Sequence, residues 1–127
     1  MSESASTAPV VLIAGITGGI GSDVARRLAA TGWQVAGFAR SPEKLATLAA
    51  DLPGLFTVEA DATQSTQVEA AVQATLARFG RIDAYLHAVG SIIIKPAHLT
   101  SPDEWQRTLD LNLNSAFHGL RAVLGPM

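Results

Sequence analysis

The chain has 127 residues, 48% of them apolar, and a net charge of −2, which suits one domain with a sizeable core. The small charge and scattered basic residues exclude an electrostatic footprint for nucleic acid or an anionic membrane. Having no cysteine, the chain has no disulfides, thiolate nucleophiles or cysteine metal sites, and no apolar run approaches the roughly 20 residues that cross a bilayer.

Met1 to Pro9 are small and polar, with neither a basic n-region nor an apolar h-region. They are expected to form a frayed tail ahead of a domain over residues 10–127, and the cytoplasm is the expected location. Val10-Val11-Leu12-Ile13-Ala14 reads as a buried strand. It leads into Gly15-Ile16-Thr17-Gly18-Gly19-Ile20-Gly21 and a helical stretch from Ser22 to Ala30, giving the order strand, phosphate loop, helix. Glycines there allow a tight turn, close approach of backbone to a pyrophosphate, and close packing of helix on strand. The positive end of the helix would hold phosphates. By itself the pattern also fits a plain structural turn.

Gly32 follows Thr31 where a left-handed helix end would sit, and Gln34 to Phe38 reads as the second strand. Ser41-Pro42 supplies an N-cap and a first-turn proline for a helix through about Asp51, with Leu45, Leu48 and Leu52 on one side. Pro53-Gly54 ends it. Leu55 to Val58 is the third strand, and Asp61-Ala62-Thr63 turns the chain into a helix whose Val68, Val72, Leu76 and Phe79 share a face, closed by Gly80. The fourth strand is Ile82 to His87. Ser91 to Leu99 reads as a loop of open role containing Ile92-Ile93-Ile94. Ser101-Pro102-Asp103-Glu104 then combines a capping box with a first-turn proline. One long helix is expected from there, carrying Trp105, Leu109, Leu113, Phe117, Leu120 and Leu124 and stopping at Gly125-Pro126.

Strands alternating with helices predict right-handed crossovers and a parallel sheet. The fold class is therefore α/β, a Rossmann-type doubly wound sheet represented by its first four strands, in the order 3-2-1-4, plus the following helix.

About twenty residues past the loop, an acid at the end of the second strand would hold the ribose 2′-hydroxyl of NAD, whereas an arginine accommodates the 2′-phosphate of NADP. Ala39-Arg40-Ser41 stands there, with a solvated arginine as the plain alternative. Asn112 lies within an apolar helix, where its propensity is poor. It is either a buried polar plug or a functional group. Asp61 suits a helix N-cap. His98 and His118 lack metal-ligand spacing with any partner, so no metal site is expected. Trp33, Trp105 and Tyr85 read as core or interface aromatics.

From Val10 to Met127 the sequence resembles the short-chain dehydrogenase/reductase family. Ala14 to Gly21 matches its TGxxxGIG with alanine in the leading position. Asp61-Ala62 stands at its adenine-contacting Asp-Val, and Phe79-Gly80-Arg81-Ile82-Asp83 at its FGRID. His87-Ala88-Val89-Gly90 stands at its NNAG, where only the glycine is literal, and Asp110-Leu111-Asn112-Leu113 at its D-V-N-L. The resemblance implies an NADP(H)-dependent oxidoreductase, with NAD less favoured, acting on a small-molecule carbonyl or alcohol. Gly15, Thr17, Gly18, Gly19, Ile20, Gly21, Arg40, Ser41, Asp61, Ala62, Ala88 and Gly90 would bind the cofactor, and Asn112 would be catalytic. His87 would take a structural rather than an acid role.

The family's catalytic serine and Tyr-x-x-x-Lys have no counterpart, since Val89 follows the only tyrosine by four residues. The chain is accordingly expected to be truncated before the catalytic half and inactive alone. The alternatives are a non-catalytic dinucleotide-binding module and a fragment. Self-association into a homo-oligomer is expected from the exposed fourth-strand edge and the apolar face of the last helix.

Overall fold

A computed structural model describes residues 7–127 of the chain. Six of the residues read as a tail lie outside the described ones. Pro9 is described, and its carbonyl accepts from the Gln34 N–H at 2.9 Å.

The elements run β1 (Val10–Ala14), α1 (Gly19–Ala30), β2 (Gln34–Ala39), α2 (Pro42–Asp51), β3 (Phe56–Glu59), α3 (Ser65–Phe79) and β4 (Ala84–His87). A short 3-10 turn (Ala97–Leu99) follows, then α4 (Pro102–Leu109), a π-helical turn (Asp110–Asn114) and α5 (Ser115–Val123). The four strands form one parallel sheet in the order β3-β2-β1-β4. This is the Rossmann-type arrangement expected from the alternation of strands and helices.

β1 is apolar throughout because it is central and covered on both faces. Its Val11 and Ile13 point into one core with Ala25, Leu45 and Leu48 of α1 and α2. Leu12 and Ala14 point into the other, with Val68 and Val72 of α3 and Val123 of α5. The period-2 alternation thus sends one strand's side chains to two layers of helices.

β4 starts two residues later than its apolar run suggests. Asp83 binds Val10 twice before the ladder begins: its N–H donates to the Val10 carbonyl at 2.8 Å, and its carboxylate accepts from the Val10 N–H at 2.8 Å. The Arg81 guanidinium grips the same carboxylate. That ion pair, then the Val10 N–H, holds the Asp83 pKa below its ordinary value.

The expected long helix is interrupted. Polar side chains at Asp110, Asn112, Asn114 and Ser115 bond within the helix itself. Asn112 Nδ2 donates to the Thr108 carbonyl at 2.9 Å and Ser115 Oγ to the Leu111 carbonyl at 2.7 Å. Side-chain bonds to carbonyls four residues back compete with the helix's own ladder and bend it, and here the backbone widens into a π turn. On the outer side Trp105, Leu113, Phe117 and Leu124 remain exposed. Among the described residues no helix is long and apolar enough to cross a membrane.

The capping box at the start of α4 is closed by Ser101 and Glu104, and Lys95 pairs with Glu104 at 2.9 Å. The Ser101 N–H foremost, with Lys95 next, pushes the Glu104 carboxyl down to about 2 from an ordinary 4.5. A depressed carboxyl pKa adds stability above the unfolded value and loses it as pH falls through the folded value. Thermal melts of the parent and of Glu104→Gln should therefore differ above pH 4.5 and converge toward pH 2.

Candidate functional site

The carboxyl end of the sheet opens where β1 and β2 part from their helices. After Ala14, Gly15 adopts φ +75°, a left-handed conformation that favours glycine. Its N–H donates to the Phe38 carbonyl at 2.9 Å, and its own carbonyl accepts from the Gly18 N–H at 3.1 Å. A side chain at Gly15 would overlap the Ala88 carbonyl, and one at Gly21 would overlap the Gly15 carbonyl. The turn, the first coil of α1 and the exit of β4 thus touch backbone to backbone. α1 begins at Gly19, three residues earlier than expected, because the Ser22 N–H finds the Gly18 carbonyl at 2.9 Å. Among the described residues no side chain caps its N-terminus, which leaves the first N–H groups of the helix without an intrahelical partner, the usual property of a helix start.

Beside this turn lies a cleft of about 410 Å³. Of the expected site residues, Gly15, Thr17, Gly18, Arg40, Asp61, Ala62, Ala88 and Gly90 line it. Gly19, Ile20, Gly21, Ser41 and Asn112 do not. Ile20 is 73% exposed. The Ser41 hydroxyl caps α2, accepting from the Lys44 N–H at 3.2 Å and donating to Glu43 at 3.2 Å.

Asp61 forms a turn rather than a helix cap. Its Oδ1 accepts from the Thr63 N–H and hydroxyl at 2.9 and 2.7 Å, and Oδ2 has no protein partner among the described residues. Lys44 also lines the cleft and was not singled out from the sequence. The available signal was its place in the first turn after Ser41-Pro42. Neither Arg40 nor Lys44 takes part in an ion pair among the described residues.

Asn112 is exposed rather than a buried plug and does not line the cleft. Its Oδ1 accepts from the Ser91 N–H at 3.1 Å and its Nδ2 donates to the Ser91 carbonyl at 2.9 Å. It thus reads the backbone of the loop leaving β4, and Ser91 in turn lines the cleft. His87 is engaged at both ring nitrogens: Nδ1 lies 2.9 Å from the Tyr85 hydroxyl and Nε2 3.1 Å from Ser115 Oγ. Burial lowers its pKa and raises that of Tyr85.

Over residues 9–127 the sequence matches the family described as short chain dehydrogenase. The chain belongs to the short-chain dehydrogenase family. It is 38% identical over 120 residues to (5R,7aS)-5-hydroxy-7a-methyl-1-oxo-2,3,5,6,7,7a-hexahydro-1H-indene-carboxyl-CoA reductase of Mycobacterium tuberculosis, covering 91% of this chain and 46% of that protein. Among solved structures it superposes on 3-ketoacyl-(acyl-carrier-protein) reductase from Brucella melitensis complexed with NADH, with TM-score 0.87 and 28% identity over 93% of this chain and 49% of that one. It also superposes on a variant actinorhodin polyketide ketoreductase with NADPH, with TM-score 0.89 and 28% identity over 92% of this chain and 46% of that one. The chain spans about half the length of the relatives it matches.

Short-chain dehydrogenases are oxidoreductases of alcohol and ketone substrates that bind a nicotinamide dinucleotide, and in this member of the family the glycine turn packs backbone against backbone at Gly15 and Gly21. Gly21→Ala should therefore destabilise the fold by about 1–3 kcal/mol, the usual range for overpacking. Gly19→Ala, whose added carbon meets nothing within 4 Å, should be neutral or slightly stabilising. Chemical denaturation of the two variants checks the contrast.

Proposed function

We propose that this chain forms the nucleotide-binding part of an NADP(H)-dependent oxidoreductase that interconverts a carbonyl and an alcohol. The observation that carries the reading is the cleft itself, where a glycine turn and a helix start with no side-chain cap stand beside Arg40, just after β2, and Lys44, in the first turn of α2, neither of them in an ion pair among the described residues. These groups suit a phosphorylated dinucleotide: N–H groups of the turn and of α1 take the pyrophosphate, while Arg40 and Lys44 take the 2′-phosphate with Ser41 beside them. Asp61 and Ala62 face the adenine, and Ala88 and Gly90 the adenosine half. The bound nicotinamide supplies the hydride.

The named relatives support a nicotinamide dinucleotide without choosing between its forms, one having NADH and another NADPH. The choice of NADP rests on Ala39-Arg40. A charge-assisted contact is worth about 1.5–3 kcal/mol, or roughly ten- to a hundredfold in affinity. The parent should bind NADPH that much more tightly than NADH in calorimetry, and Ala39→Asp with Arg40→Ala should reverse the order. Equal binding of both by the parent would count against the assignment.

Reduction of a carbonyl leaves an alkoxide that needs a proton, and a positioned general acid contributes about 10²–10⁴-fold. The Tyr85 hydroxyl is engaged with one ring nitrogen of His87, whose other nitrogen is engaged with Ser115, so neither side chain is available to substrate. Asn112 can orient a water but cannot supply a proton at neutral pH. The chain alone should therefore not oxidise NADPH measurably with a panel of aldehydes and ketones. A separately supplied fragment carrying the family's second half should restore turnover. Activity of the chain alone that disappears in His87→Ala would reassign the acid to His87.

A further inference from the structure

The bonds around His87 have a definite direction. Ser115 Oγ carries one hydrogen and gives it to the Leu111 carbonyl, which can only accept, at 2.7 Å. Toward His87 that oxygen must therefore accept, so Nε2 carries the ring proton. A neutral ring protonated at Nε2 leaves Nδ1 as an acceptor for the Tyr85 hydroxyl. The order is Tyr85 to His87 to Ser115 to the Leu111 carbonyl, each donor satisfied by the next group. Burial, which disfavours the charged ring, agrees with this neutral form.

Both ends of this relay are fixed. Tyr85 lies against α5 so closely that any side chain at Gly119 would overlap its hydroxyl. At the other end, Leu111 lies inside the π turn and immediately precedes Asn112, which clasps the Ser91 backbone on both its N–H and its carbonyl. The loop is tight here as well, since a Cβ on Gly90 would come within 3.0 Å of Asn112 Oδ1. An apolar residue in place of His87 could fill the space. It would leave the Tyr85 and Ser115 hydroxyls without the partner that joins them.

We propose that His87 is a positioning residue of the cleft: through Ser115 it holds the π turn in the one setting that lets Asn112 pin the loop after β4. Its bearing on dinucleotide binding rests on the function proposed above, whereas the coupling from His87 to Ser91 is a property of the fold itself.

The test uses the full chain with ¹⁵N-labelled histidine and amide hydrogen exchange. At neutral pH the His87 imidazole should show the proton on Nε2. In Ser115→Ala and in His87→Leu, protection of the Ser91 amide should fall by about tenfold, the worth of one hydrogen bond, while β1 and β2 amides keep theirs. A proton on Nδ1, unchanged Ser91 protection, or an equal fall in every amide would overturn the proposal, the last because it shows only general loss of stability.

Calorimetry with NADPH gives the functional arm. Ser115→Ala should weaken binding several-fold, and the double variant with Asn112→Ala should bind no worse than Asn112→Ala alone. Additive losses would overturn the route through Asn112. A parent that bound no dinucleotide would refute the proposed function and the role in binding together, while the exchange result would still decide the coupling.

Discussion

The Gly15 carbonyl occupies the place where a side chain on Gly21 would stand, and the Ala88 carbonyl the place where one on Gly15 would stand. This double backbone approach fixes how far α1, the turn and β4 lie from one another. β1 makes it possible by being buried on both faces, so that the turn emerges from a strand that cannot shift. An added methyl group at either glycine meets backbone first, and close-packed interiors do not absorb such a change. The cleft's floor, its helix start and its far wall depend on that one contact.

Charge is distributed with the same economy. Arg26, Arg27, Arg81, Lys95 and Arg121 each have a carboxylate partner. Most of these pairs are exposed and contribute little to stability. Arg40, Lys44, Arg78 and Arg107 are in no ion pair among the described residues, and of these Arg40 and Lys44 stand beside the glycine turn. An unpaired cation near an uncapped helix start raises the local positive potential, and both features favour the same kind of ligand, an anion with several oxygens. With a net charge of only −2, it is this local arrangement that selects a partner.

The two faces of β4 differ in chemistry. Ala84 and Leu86 join the apolar core under α1 and α2. Tyr85 and His87 face α5 and carry a polar relay into the π turn. Apolar packing alone tolerates small shifts of a helix on a sheet, whereas directed hydrogen bonds between groups of fixed reach tolerate few. The polar side of β4 therefore decides the setting of the helix that holds the loop, while the apolar side supplies cohesion.

Much of this was legible in the sequence. The apolar run of β1, the turn after it, the Ser41-Pro42 and Ser101-Pro102 helix starts and the alternation of strands with helices depend on neighbours in the chain. Local propensity and hydrophobic period determine them. The glycine turn, Arg40 and Asp61 also lay within recognisable motifs. Boundaries moved by one to three residues, as at β4, where Asp83 spends its hydrogen bonds on Val10 before the ladder begins. Three features needed the tertiary structure. Lys44 joins the cleft because α2 packs beside the turn. The long helix breaks into a π turn because Asn112 and Ser115 find partners in their own helix and, respectively, in the loop after β4 and in β4. The proton on His87 is assigned by Ser115, which is 28 residues away along the chain. Sequence by itself fixed what each segment tends to become, because those tendencies are local. Which polar groups meet was decided only when the strands and helices closed on one another, because hydrogen bonds across elements depend on distances that no sequence period encodes.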